Sequence, residues 1–156
     1  MEFKNRILHL DLCDTSRKII CPLYDNNTFI VGQASDVHIR TEGNGWKELS
    51  FTLPSVIYTD EGHEENFVIN YLKADYLIRS IDDNNKKDYF VISEARIEHN
   101  GYSKTVSVTA GHISQQLKFK NYGLELSEEE QNNVGTAEDL LEKILAGTGW
   151  TVSYVY

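Results

Sequence analysis

The sequence predicts a mainly β protein of the α+β kind: an antiparallel barrel-like or sandwich domain followed by the start of an α/β element. Three observations predict it. Short runs of Val, Ile, Leu, Phe and Tyr alternate with polar residues through residue 110, the period of a strand with one buried face. Glycine and asparagine punctuate these runs at hairpin spacing, most clearly at Asn100-Gly101. After an acidic stretch the period changes to that of a helix, beginning at Thr136.

The elements follow in order. "RILHLDLC" and "KIICPLY" read as two strands around the turn "DTSRK", which Cys13 and Cys21 flank. Two cysteines are too few for a disulfide scaffold, and the simpler reading is a pair of reduced thiols, with a pair facing across the hairpin as the alternative. "SDVHIRTEGNGWKELSFTLP" reads as a second hairpin, with Val37 and Ile39 alternating, "GNG" as the turn, Lys47, Leu49, Phe51 and Leu53 on one face, and Pro54 as the end of the ladder. "DYLIRSI" pairs with "YFVISEA" over the polar loop "DDNNKK". "EENFVINYLK" fits a short helix or a strand equally well.

The third hairpin, "DYFVISEARIEHNGYSKTVSVTAG", carries the most specific expectation. A two-residue Asn100-Gly101 loop places Ala95 opposite Val106, Ser93 opposite Val108 and Val91 opposite Ala110 on the core face. Glu94, Arg96 and Glu98 then face Ser107, Thr105 and Ser103 on the wet side. "GHISQQLKFK" follows as a short helix or turn with Ile113 and Leu117 on one side, and "LELSEEEQNNVG" as an acidic connector. Thr136 is a natural N-cap, Leu140, Leu141, Ile144 and Leu145 form an apolar stripe, and Gly147 is the expected stop before an aromatic-rich strand. The expected organisation is a β-rich domain over 1–119, a connector over 120–134 and a helix and strand over 135–156. These last open a second domain, so the chain reads as a piece of a longer protein.

Composition narrows the function. Lys and Arg number 15 against 24 Asp and Glu, a net charge of −9, which disfavours free nucleic acid and anionic lipid as partners. No apolar run reaches the ~18 residues of a spanning helix, and the amino terminus lacks the pattern of a secretory leader. Phosphate-binding and dinucleotide motifs are missing, and "GTGW" follows a helix, where it reads as a stop. "GHEEN" lacks the second histidine a zinc helix needs. His9 and Cys13 lie about 13 Å apart on an extended strand, too far for proton transfer. Glu128, Glu129 and Glu130 sit without apolar surroundings that would raise a pKa. The expectation is a non-enzyme without cofactor or metal. Trp46, after a turn, and Trp150, at the start of the last strand, fit core packing or a protein interface; with Tyr102 they are the candidate interface residues.

Taken in order, "WKELSFTLP", "YLIRSI" with "DYFVISEA", "VSVTAGHISQQL" and "TAEDLLEKILAGTGWTV" resemble the amino-terminal region of phage and prophage minor structural tail proteins of the tail-endopeptidase type, the baseplate hub at the tail tip. The resemblance covers most of the chain. It implies a homotrimer in the full-length protein, with a ring of β domains that continues the tail tube and docks the distal tail protein, near the tape-measure protein. It implies assembly in the bacterial host cytoplasm, location at the virion tail tip, and further domains beyond residue 156, without which trimerisation should be weak. An acidic wall would let DNA pass such a ring. The competing readings are part of a tail-associated peptidase or peptidoglycan hydrolase, whose machinery would lie outside these residues, and a carbohydrate-binding β module using exposed Trp46 or Tyr102.

Overall fold

The computed structural model describes residues 6–43, 46–74, 76–101 and 103–118, together with Glu142, Leu145 and Thr151. The chain divides into two units, Met1–Gln116 and Leu117–Tyr156. All the described strands belong to the first. The predicted connector lies outside the described residues; of the predicted closing helix, Glu142 and Leu145 are described and both are helical.

Among the described residues nine strands run in chain order: β1 Ile7–Cys13, β2 Ile19–Asp25, β3 Ser35–Thr41, β4 Lys47–Pro54, β5 Val56–Thr59, β6 Gly62–Glu65, β7 Leu77–Asp82, β8 Lys87–Asn100 and β9 Ser103–His112. Seven form one antiparallel sheet in the order β2-β1-β7-β8-β9-β4-β3, and β5 pairs with β6 in a separate ribbon. The large sheet curls into a half-barrel. The predicted strand pairs at both ends and in the middle are present.

One face of the sheet carries the core. Leu10 and Leu12 of β1, Leu23 of β2, Leu49, Phe51 and Leu53 of β4, Ile78 of β7, Phe90 and Ile92 of β8, and Val106, Val108 and Ala110 of β9 are all buried there. Each of the larger ones contributes roughly 1.5–3 kcal/mol by leaving water. The alternation in β4 and β9 is that of the sequence, with every second residue inside.

The third hairpin departs from its predicted register. Its two-residue loop is Gly101-Tyr102, with Asn100 paired to Ser103, so Ala95 faces Val108 and Ile97 faces Val106. Gly101 takes φ +60° and supplies the left-handed backbone at the first loop position, which leaves Asn100 free to stay in the strand. A bulge at Ser93 then shifts the ladder by one residue. As a result Ile92, not Val91, stands opposite Ala110, and Phe90 with Ile92 supplies the core side chains. Beyond the bulge β8 loses its neighbour β7, and residues 93–99 are exposed on both faces.

The ambiguous stretch 64–73 divides. Gly62–Glu65 is strand, and Phe67–Tyr71 is a 3-10 turn capped by Asn66. β9 runs on to His112 before a second 3-10 turn, Ile113–Lys118.

Candidate interaction surface

Of the three nominated interface residues, Trp46 alone is described; Tyr102 and Trp150 lie outside the described residues. Trp46 is half-buried at the foot of β4, where its carbonyl accepts the Glu42 N–H at 2.8 Å and closes the β3–β4 connection. The chemistry-bearing groups and the exposed apolar ones gather elsewhere, in three places.

The first is a row of polar side chains on the outer face of the sheet. Period-2 geometry and the register put Asp11 of β1, Arg79 of β7 and Tyr89 of β8 side by side. Arg79 Nε and Nη2 donate to Asp11 Oδ2 at 2.9 and 2.6 Å, and His9 Nε2 lies 2.7 Å from the other oxygen. His9 Nδ1 is 3.6 Å from Asp25 on β2. The Arg17 guanidinium sits over the Tyr89 ring at 5.1 Å. The hydrogen bond to Asp11 holds the Arg79 guanidinium more firmly protonated than usual, against the opposing effect of burial. This network occupies a carboxylate that is almost wholly buried, and so it fastens three strands together.

Cys13 lies beside this row. Burial pushes its thiol up, and the Asp11 carboxylate adds to the effect; Cys21 is raised for the same two reasons in the same order. A raised thiol carries little thiolate, so neither cysteine is primed as a nucleophile. Both are free, and Cys21 stands opposite Leu12 while Cys13 stands opposite Ile19, because a register shift separates them. The cysteines do not face one another. No group of His, Cys, Asp and Glu that could hold a metal ion is found among the described residues.

The second place is the pair of sheet edges. Among the described residues β2 and β3 each have one partner strand; β2 spends the Leu23 carbonyl on the Ala34 N–H at 2.7 Å, and the rest of each outer side has no partner strand. Ile19 and Ile20 are exposed on β2, and Pro22 sits in the same strand, a residue tolerated in a sheet chiefly at an edge.

The third is a junction built on Asn66. This buried side chain donates from Nδ2 to Pro54 O at 2.9 Å and Gly32 O at 3.4 Å, and accepts the Val68 N–H at 3.2 Å. It ties the 26–34 loop and the 3-10 turn to the end of β4, so that Val68 and Leu72 close over the core. Gly32 takes φ +73° here with its Cα against Ile57 Cγ2 of β5. The chain neighbours of these residues point outward: Val31 is 58% exposed, Tyr58 80% and Phe67 55%, with Phe29 at 78% on the same loop.

Sequence reasoning missed the Asp11 row and the Asn66 junction. It places His9 and Cys13 on one face of the strand without weighing Asp11 between them, and the partner Arg79 comes from β7, which lies beside β1 in the sheet but far from it in the chain.

The model of one protein family, the YOMG N-terminal domain, matches residues 12–110, more than half of the chain and nearly the whole of the large sheet. The name is associated with a Bacillus prophage. No curated protein and no solved structure matches the chain.

Proposed function

The chain belongs to the YOMG N-terminal domain family, and from that premise we propose that it is a structural component of a phage or prophage tail tip, a hub domain that docks the distal tail protein and joins a ring continuing the tail tube. The observation that carries this reading is the half-barrel whose end strands, β2 and β3, have no outer partner strand among the described residues. A closed barrel has no edge to offer; a half-barrel keeps two, and a soluble β domain must blunt them or cover them with neighbours. Pro22 and the charged residues Asp36, Arg40 and Glu42 blunt the edges against indiscriminate pairing. The exposed Ile19 and Ile20 on β2 are what a specific neighbour would cover.

The prophage association of the family name and the order of the tail-protein motifs along the chain support the same reading. The polar row around the buried Asp11 fits it too, since Arg79 and His9 direct their hydrogen bonds to that carboxylate. Catalysis is not part of the proposal.

Co-expression of the chain with the distal tail protein encoded beside it tests the reading. A complex of fixed stoichiometry that survives gel filtration, and that weakens when Ile19 and Ile20 are both changed to Glu, is the expected result. Separate elution of the two proteins at ~10 μM, above the Kd of a useful assembly contact, would count against it.

A further inference from the structure

The Asn66 junction joins two segments that carry no lysine or arginine; Lys104 of β9 lies beside them, its carbonyl accepting the Ser55 N–H at 3.0 Å. No Lys or Arg occurs between Lys18 and Arg40, or between Lys47 and Lys73, and these are the two segments that meet there. The same segments hold Asp60, Glu61, Glu64 and Glu65 on the β5–β6 ribbon, and none of these four pairs with a described cation. In an antiparallel pair, residues opposite each other leave the sheet on one face. Glu64 is opposite Ile57, and Ile57 packs against Gly32, so Glu64 shares the face turned toward the Val31 loop. Exposed Val31 and Phe67 and the Glu64 carboxylate are thus held beside one another around one buried asparagine.

We propose that Phe29, Val31 and Phe67, with Glu64 beside them and Glu61 in the turn of the same ribbon, form a docking surface for a basic amphipathic segment of a partner protein. Apolar groups in water gain by being covered, and carboxylates that pair with no described cation select lysine or arginine among the candidates to cover them. Nucleic acid and anionic lipid share the sign of the surface and are repelled. The surface uses residues other than Ile19 and Ile20 of the β2 edge, so the two sets of variants fail independently and a failure here leaves the ring reading standing.

The test uses the whole chain and two labelled synthetic helical peptides, one of leucine and lysine and its counterpart of leucine and glutamate, followed by fluorescence anisotropy. The leucine-lysine peptide is expected to bind, and binding should weaken about tenfold with the double variant Glu61→Lys/Glu64→Lys and about as much with Phe29→Ser/Phe67→Ser. The control Asp83→Lys/Glu98→Lys makes the same change of net charge at other exposed carboxylates and should leave binding within about twofold. Since Glu61 and Glu64 are exposed, the charge variants report even where the double serine variant folds poorly. Equal weakening by the control pair would overturn the proposal, because it would reduce the effect to net charge. Equal binding of the leucine-glutamate peptide, no binding of either, or Phe29-dependent binding to phosphatidylcholine vesicles in place of the peptide would overturn it as well.

Discussion

Arg79 places two of its N–H groups, at 2.9 and 2.6 Å, on a single carboxylate oxygen of Asp11, and leaves the other oxygen to His9 at 2.7 Å. The ion pair crosses from β7 to β1, the join that ties the amino-terminal hairpin to the rest of the sheet. Removing one partner strands a buried charge, so Asp11→Leu should cost about 3–5 kcal/mol. The double variant Asp11→Leu/Arg79→Met removes both charges and should cost far less than the two single changes added together. Urea unfolding of the four proteins in the cycle measures this; additive costs would mean that the pair is not coupled.

His112 provides a pH dependence of known sign. Burial pushes its imidazole below the ordinary 6.5, more than the Asp88 carboxylate raises it. The Ser114 N–H, 3.3 Å from Nδ1, also asks that nitrogen to remain an acceptor. The unfolded chain therefore takes up this proton first as the pH falls. Stability from this site is complete above about 6.5, declines as the pH drops through that value, and levels off below the lowered one. The difference in unfolding free energy between the native chain and His112→Asn should shrink in that interval. A difference that stays flat from pH 8 to pH 5, or grows toward acid, would contradict the assignment.

Asn66→Ala should be costly for its size. It deletes three hydrogen bonds and leaves the Val68 N–H and the Pro54 carbonyl facing a dry site. A loss of about 2–3 kcal/mol is expected, with the 26–34 loop becoming the first site of limited proteolysis. Thermal melts and peptide mapping would check both, and unchanged protection of that loop would show that something else holds it.

Gly32→Ala probes the same junction from the other side. The φ of +73° opposes any side chain, and a Cβ would lie 2.5 Å from Ile57 Cγ2. A destabilisation of about 1–3 kcal/mol should follow, partly relieved in the double variant with Ile57→Ala, which removes the clash and not the strain. Chemical denaturation gives both numbers.

Much of the fold was legible because it is local. The β1–β2, β3–β4 and β7–β8 pairs each join chain neighbours through polar turns, and the leucines and phenylalanines of β4 declare their buried face by alternation alone. The β8–β9 register was not legible, because Asn-Gly can sit within the loop or straddle its edge, and nothing in "VISEA" announces that Ser93 will bulge. The closing of the sheet, with β1 beside β7 and β9 beside β4, depends on contacts between distant strands that no short window contains. The candidate surface was half legible. The cation-free stretches are plain in the sequence, but their meeting at Asn66 is a product of the tertiary fold.

Immunogold electron microscopy of the tailed particles released on prophage induction of the source cells, with antibody raised against this chain, tests the central claim most directly. Gold confined to the tip of the tail is the predicted result. Particles whose tails carry no label, or carry it at the capsid or along the shaft, would contradict the claim.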